Sequence, residues 1–110
     1  MYKLVYTKSF NNDIELIRDY FKRKKETRIG ASLINSIIKK LNDLSIIPER
    51  RALVRDELLA FYGYRTLQVK NYIILFTVDV KNKVVYLERI FHGSQDWMNI
   101  LRADIEDEDS

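Results

Sequence analysis

The stretch that decides the fold runs from residue 62 to residue 97 and reads YGYRTLQVKNYIILFTVDVKNKVVYLERIFHGSQDW. It contains three runs rich in β-branched and aromatic residues, separated only by Lys70-Asn71 and by Lys81-Asn82-Lys83. Connections this short predict two tight hairpins, in which asparagine tolerates the left-handed backbone that such turns need. The middle run is apolar on both alternating sets of positions, so we expect it at the centre of a sheet with both faces at least partly covered.

The third run changes its alternation before it ends. Val85 and Leu87 share one parity, whereas Ile90 has the other, with Glu88 and Arg89 between them. A strand that keeps one face buried across such a change needs an extra residue, so the pattern predicts a β-bulge at Glu88 and Arg89. Bulges often redirect side chains next to functional sites.

The first half of the chain predicts one strand followed by two helices. Residues Tyr2 to Thr7 alternate as a short, half-buried strand does. Apolar residues then recur at helical spacing over Phe10 to Phe21 and over Ile29 to Leu44, with Ser9 as the expected N-cap and Pro48 beyond the second helix. Because the connection between them is short, the helices should form an antiparallel hairpin that buries its apolar side on one face of the sheet.

The remaining segments are predicted to be short or irregular. Pro48 to Phe61 has no clean period and is expected to be a loop, and the apolar residues after Asp96 fit one short amphipathic turn. Residues 104–110 are expected to form a disordered acidic tail. The predicted fold class is therefore α+β: an N-terminal strand, a two-helix antiparallel hairpin on a mainly antiparallel four-stranded sheet and a short C-terminal helical turn, in one domain over residues 1–103.

Composition limits the class of protein and the available chemistry. A chain of 110 residues that is 46% hydrophobic, with 3 glycines and 1 proline, has room for one compact domain with a small core. The absence of cysteine excludes disulfides, a thiolate metal site and a cysteine nucleophile. The opening MYKLVYTKSF lacks the apolar region of a signal peptide, and no apolar run is long enough for a bilayer, so we expect a soluble, cytoplasmic protein without a membrane partner.

Charge is distributed unevenly along the chain. The totals are 19 basic and 16 acidic residues, but five of the acids lie between residues 104 and 109, which leaves 19 minus 11, or +8, on residues 1–103. A basic body favours an acidic partner, either a nucleic-acid backbone or an acidic protein. For any single lysine, a solvated surface position is the commoner explanation.

The sequence carries no established cofactor motif. It has no glycine-rich phosphate loop, no metal-ligand spacing and no serine-centred triad, so neither a cofactor nor a metal is expected. A set of basic groups on the predicted sheet remains, with three tyrosines nearby in sequence: Arg65, Lys70, Arg89 and His92, and Tyr62, Tyr64 and Tyr86. Arg65 shares parity with Leu67 and Val69, and at the edge of that face its guanidinium could hold a phosphate. A lone histidine after a strand is more often structural than catalytic, so His92 has both interpretations.

This stretch resembles the RelE/ParE superfamily, the toxins of type II toxin–antitoxin systems, also called plasmid-stabilisation proteins. The order and spacing of three segments carry the resemblance: the run from Tyr64-Arg65 through Val69 and Asn71-Tyr72 to Ile74–Phe76, then Val85 to Ile90, and finally His92 to Trp97. The resemblance extends over nearly the whole chain. It implies an acidic antitoxin segment that folds on an open sheet face and on grooves along the helices, with operator DNA contacted only through the antitoxin.

The resemblance also implies one of two ways of arresting growth. RelE-like members cut messenger RNA in the ribosomal decoding site with arginines, lysines and, in some branches, a histidine or tyrosine; ParE-like members poison DNA gyrase without hydrolysis. By resemblance Arg65, Arg89 and His92 match positions of the nuclease site, which makes them the catalytic candidates of a metal-independent endoribonuclease acting on translated mRNA.

Two departures from the RelE-like pattern weigh against cleavage. Ile73 stands where RNA-cleaving members often have arginine, and Gly93 follows His92 where a tyrosine or phenylalanine is expected. The ending from His92 to Asp96 is closer to ParE-like members. The resemblance thus favours gyrase inhibition, with two alternatives: ribosome-dependent cleavage, and a degenerate, non-toxic antitoxin-binding or co-repressor protein.

Overall fold

The computed structural model describes residues 1–109 and is built around a four-stranded sheet. The strands are β1 (Lys3–Tyr6), β2 (Arg65–Val69), β3 (Tyr72–Asp79) and β4 (Val84–His92), in the spatial order β1-β4-β3-β2. β1 runs parallel to β4, and the other neighbours are antiparallel. The predicted mainly antiparallel sheet, with the apolar middle run inside it, is confirmed.

The two predicted helices are also confirmed, each with slightly wider bounds. α1 (Lys8–Arg23) and α2 (Thr27–Leu44) cover one face of the sheet, and side chains of both helices form one core with β2, β3 and β4. The predicted N-cap at Ser9 is wrong, because Thr7 caps α1 by accepting a hydrogen bond from the Phe10 N–H at 3.1 Å. The Thr7 hydroxyl also donates to the Leu87 carbonyl at 2.7 Å, which ties the start of α1 to β4.

The opposite face of the sheet is covered as well, so the expectation of an open sheet face is wrong. A second core lies there, formed by Val54, Leu59, Leu75, Phe91, Leu101 and Ile105. A short helix, α3 (Glu57–Phe61), contributes to this core, and Asp56 caps it by accepting from the Leu59 N–H at 3.1 Å. The predicted loop over Pro48 to Phe61 is therefore interrupted by this helix and by a 3-10 turn at Pro48–Arg50.

The C-terminal segment differs from its prediction. A 13-residue helix, α4 (Trp97–Asp109), replaces the expected short turn and extends through residues expected to form a disordered tail; Ser110 lies outside the described residues. Leu101 and Ile105, one helical turn apart, are buried against the sheet. Regular structure therefore continues past the predicted boundary at residue 103. None of the helices in residues 1–109 is long and apolar enough to cross a membrane.

The predicted bulge is confirmed. The ladder between β3 and β4 passes from Leu75 opposite Arg89 to Phe76 opposite Leu87, so Glu88 is the extra residue. The bulge keeps Leu87 and Ile90 in the core under the helix hairpin and directs Arg89 to the other face.

The two hairpin turns form where they were predicted, although different residues carry the left-handed backbone. Positive φ angles occur at Lys70 (53°) and Lys83 (54°) rather than at the asparagines. Asn82 instead donates through its backbone N–H to Asp79 Oδ1 at 3.1 Å and through its side chain to Oδ2 at 2.8 Å. Asn82 therefore stabilises the turn through hydrogen bonds to Asp79 without adopting the left-handed backbone itself.

Candidate functional site

The bulge places Arg89 between three structural elements. Its guanidinium donates to Asp13 of α1, from Nε at 2.7 Å and from Nη2 at 3.2 Å, and to Asp104 of α4 from Nη1 at 2.5 Å. The guanidinium carbon also lies 4.5 Å from the centre of the Phe91 ring, within the range of a cation–π contact. Arg89 thus joins α1, β4 and α4.

Electrostatics hold Arg89 in its charged form. Partial burial pulls the pKa of the guanidinium down, but the hydrogen bonds and negative charges of Asp13 and Asp104 outweigh this and leave the pKa raised. The Asp13 side chain is only 9% exposed and the Arg89 side chain 22% exposed. A phosphate approaching Arg89 would have to compete with two carboxylates already in place.

Arg65 lies at the start of β2, where the segment after α2 packs against the sheet. Strand alternation puts it on the same face as Leu67 and Val69, as the sequence predicts. Its Nη1 donates to the backbone carbonyl of Arg51, and its charge helps to lower the pKa of Glu49. Arg65 therefore braces this end of the molecule.

His92 ends β4 and is held by the turn that follows. Its Nδ1 accepts a hydrogen bond from the Ser94 backbone N–H at 3.1 Å and lies 2.6 Å from Ser94 Oγ. Because a backbone N–H can only donate, the neutral ring carries its proton on Nε2. The ring also stacks edge-on against Tyr72, with 5.2 Å between centres, and the His92 backbone N–H donates to Gln95 Oε1 at 2.8 Å.

The three candidate residues do not form one site. Arg65 is opposite Phe76, whereas His92 is opposite Tyr72, which precedes Phe76 by four residues in β3. At about 3.3 Å per residue, this separates them by about 13 Å along the strands, in addition to the two strand spacings across the sheet. Arg89 extends from the face of the sheet opposite to that of Arg65. Only Arg89 and His92 border a common groove.

That groove, which we call the α1–β4 groove, has a volume of about 230 Å³. The residues that line it include Leu16, Tyr20, Tyr72, Phe91, His92 and Gln95, together with Asp13 and Arg89. Burial raises the pKa of the Tyr72 phenol, and the nearby Tyr20 adds to the shift, so Tyr72 is a weaker acid than an exposed tyrosine. Among residues 1–107, whose side chains the structure describes, no three His, Cys, Asp or Glu side chains are grouped in a way that could hold a metal ion.

Two residues that decide the role of Arg89, Asp13 and Asp104, were not predicted as partners of this arginine from the sequence. A signal for Asp13 was present, since it lies between Phe10 and Ile17 on the apolar stripe of α1, where an unpartnered acid would be costly. Asp104 gave no comparable signal, because it lies in a run of acids.

The two departures from the RelE-like pattern have local packing reasons. Gly93 donates its N–H to the Asn71 carbonyl at 2.7 Å, and a Cβ at this position would lie 3.2 Å from that oxygen, closer than most side chains tolerate. Ile73 is partly buried against the second core. A larger side chain at residue 93 or a charged one at residue 73 would disturb these contacts.

Similarity to solved structures agrees with this fold. The chromosomal ParDE system from P. aeruginosa matches with a TM-score of 0.68 at 20% identity, covering 84% of this chain and 96% of that chain. The toxin–antitoxin complex RelBE2 from Mycobacterium tuberculosis matches with a TM-score of 0.56 at 24% identity, covering 83% and 96%. Identities this low establish the fold alone. A comparison with curated proteins found no match.

The sequence itself identifies the family. Residues 4–97 match the family model described as the ParE toxin of type II toxin–antitoxin systems, parDE. This range includes the helix hairpin, all but the first residue of the sheet and all three candidate residues, and it ends where α4 begins. The chain belongs to the ParE toxin family of type II toxin–antitoxin systems.

Proposed function

We propose that this toxin arrests growth by binding DNA gyrase when it is free of its antitoxin, and that it does not hydrolyse RNA. The observation that carries this proposal is the arrangement around Arg89, whose guanidinium is occupied by Asp13 and Asp104. A residue committed to an internal ion-pair network is poorly placed to stabilise a transferring phosphate.

The geometry of the other candidates supports the same conclusion. RNA cleavage through the 2′-hydroxyl needs a base at the attacking oxygen, positive charge at the phosphate and an acid at the leaving oxygen, all within hydrogen-bonding distance of one reacting group. Arg65 and His92 lie too far apart to bind a single phosphate. Their partners on β3 are four residues apart, and Arg65 and His92 themselves lie two strand spacings apart across the sheet. Inhibition by surface contact requires no such convergence.

One observation favours ribosome-dependent cleavage as the second candidate. His92, Tyr20 and Tyr72 border the α1–β4 groove together, and the Ser94 backbone N–H holds the His92 ring in place by donating to Nδ1. A histidine with two tyrosines could supply an acid and a base, although Arg89, which also lines the groove, remains paired with carboxylates.

The partner that we propose is an acidic antitoxin, which would also provide the only contact with operator DNA. Support comes from the formal net charge of +3 on the chain and from the toxin–antitoxin complexes among the structural neighbours. We place the free toxin in the cytoplasm, where both gyrase and ribosomes operate.

Expression of the toxin without its antitoxin distinguishes these functions. We expect growth arrest with induction of the DNA-damage response, no codon-position-specific cuts in translated messages, and inhibition of supercoiling by purified gyrase. The variants His92→Gln and Arg65→Ala should keep most of the arrest, since no proton transfer is required. Ribosome-dependent cuts that disappear in His92→Gln would establish the nuclease instead. Absence of arrest, with antitoxin binding retained, would indicate the degenerate binder.

A further inference from the structure

The segment that leaves α2 holds two isoleucines on the protein surface. Ile46 is 58% exposed and Ile47 is 47% exposed, while the residues on either side, Ser45 and Pro48, are buried. The Ser45 hydroxyl donates to the Asn42 carbonyl at 2.6 Å. With both flanking residues fixed, the isoleucines cannot turn into the core, so the apolar exposure is built into the fold.

Basic side chains surround these isoleucines. Lys40, Arg50 and Arg51 line the adjoining groove of about 470 Å³, the largest of those described, against a single acid, Asp43. Glu49 is already engaged, since the Tyr2 hydroxyl donates to it at 2.7 Å and lowers the pKa of its carboxyl. We call Lys40 together with residues 46–51 the cationic ridge.

We propose that the cationic ridge is a docking site for an acidic, amphipathic segment of the antitoxin. Apolar side chains of that segment would cover Ile46 and Ile47, and its carboxylates would pair with Arg50 and Arg51, whose guanidinium forks suit them. This assignment rests on the proposed antitoxin partner. It adds the location and the chemistry of the contact.

The composition of the ridge favours a protein over a nucleic acid. Binding of single strands combines cations with aromatic platforms for the bases, but no aromatic side chain lines this groove. A phosphate backbone also offers nothing that would cover exposed isoleucines, whereas an amphipathic segment offers both apolar and acidic groups.

The ridge lies far from the α1–β4 groove. The Tyr2 N–H donates to the Ser45 carbonyl at 2.8 Å, so the ridge adjoins the start of β1, which pairs with the start of β4 at Val84. His92 is the last residue of β4, eight residues away, or about 26 Å at 3.3 Å per residue. A variant of the ridge can therefore be tested without altering Arg89 or His92, which line the α1–β4 groove.

Two double variants and a matched control test the proposal. Arg50→Glu with Arg51→Glu reverses the charge, and Ile46→Ser with Ile47→Ser removes the apolar contact. Lys22→Glu with Arg23→Glu makes the same charge reversal at the opposite end of the helix hairpin. The backbone carbonyl of Arg51 that holds Arg65 is unchanged by substitution, and thermal melting verifies that each variant is folded.

The probe is the purified product of the neighbouring gene, and its affinity is measured by calorimetry at low and high salt. We expect the charge reversal at the ridge to weaken binding about 100-fold and to flatten the salt dependence, the serine pair to weaken it about 10-fold, and the control to change it less than about 3-fold.

The outcomes separate the docking site from the proposed function. Tight binding by the wild type that both ridge variants retain would overturn the docking site and leave the antitoxin partnership intact. No binding by the wild type would overturn both. Loss of gyrase inhibition with antitoxin affinity unchanged would assign the ridge to the target and would also overturn the proposal.

Discussion

Asp13 and Arg89, 76 residues apart in sequence, form an ion pair that also closes the edge of the sheet. The same carboxylate oxygen that accepts from Arg89 Nε at 2.7 Å accepts from the Ile90 backbone N–H at 3.0 Å. β1 covers β4 only as far as Leu87, so α1 supplies through Asp13 the acceptor that a further strand residue would provide. The pair is therefore a structural joint.

The first prediction concerns this joint. Asp13→Ala removes the partner of a partly buried charge and leaves the Ile90 N–H without its acceptor, so we expect the free energy of unfolding to fall by about 3 to 5 kcal/mol. Asp13→Asn should lose less, because the amide oxygen can still accept from Ile90. Urea denaturation followed by circular dichroism measures both changes.

Asp104→Ala is the matched control for this prediction. Asp104 bonds to the same guanidinium, but its side chain is 49% exposed, so its loss should reduce the free energy of unfolding by about 1 kcal/mol or less. Equal losses in the Asp13 and Asp104 variants would contradict the structural role assigned to Asp13.

The secondary structure around these residues was predictable because the buried face of a helix or strand requires apolar residues at regular spacing in the sequence. The apolar positions of α1 and α2 repeat at helical spacing, and the shift of parity between Leu87 and Ile90 locates the bulge. Such signals are local. They follow from which face of an element is covered, and they do not depend on which distant residue covers it.

The function of Arg89 was not predictable, because local sequence signals do not reveal which distant residues contact it. The resemblance made it a catalytic candidate, whereas its role in the structure depends on Asp13 and Asp104, which only the tertiary fold brings together. The predicted length of α4 was too short, because the acidic composition of its C-terminal half is typical of a disordered tail. The spacing of Trp97, Leu101 and Ile105, four residues apart, was the available helical signal.

The second prediction concerns the contact between the two helices of the hairpin. A Cβ at Gly30 would lie 2.8 Å from the Cβ of Phe21, an atom that no side-chain rotation can move away. Gly30→Ala should therefore lower the free energy of unfolding by about 1 to 3 kcal/mol, although alanine favours helices by about 1 kcal/mol. Chemical denaturation provides the measurement.

An exposed position in the same helix is the control for Gly30. Asn35→Ala should be neutral or stabilise by a few tenths of a kcal/mol, since only helix propensity changes there. A Gly30→Ala variant as stable as Asn35→Ala would show that α1 and α2 are not packed this closely.

The third prediction tests whether α4 is part of the folded domain. Ile105 is 6% exposed in the second core, and Ile105→Ala should lower the free energy of unfolding by about 2 kcal/mol or more. Ile100→Ala, at a side chain that is 36% exposed, should lose about 1 kcal/mol or less. If neither substitution changes the denaturation midpoint, residues 97–109 do not pack as a helix in solution.

The last prediction is a pH dependence that originates at the Tyr2–Glu49 hydrogen bond. The bond lowers the pKa of Glu49 below its ordinary value of 4.5, with further help from the charges of Arg65 and Lys83. It also raises the pKa of Tyr2 above 10.0. A carboxyl with a lowered folded pKa contributes stability that is present above pH 4.5 and is lost as the pH falls through the folded value.

The raised pKa of the Tyr2 phenol has the opposite effect on the pH dependence of stability. Its contribution to stability is present below pH 10 and is lost as the pH rises through the raised pKa. Tyr2→Phe should therefore flatten both the acid limb below pH 4.5 and the alkaline limb above pH 10 in a plot of urea midpoint against pH. Glu49→Gln should flatten the acid limb but reduce the alkaline limb only in part, because the amide oxygen can still accept from the Tyr2 hydroxyl. Because the Tyr2 N–H bond to Ser45 survives in both variants, β1 stays in place and the comparison isolates the side-chain bond. Limbs as steep as those of the wild type would show that the bond does not form in solution.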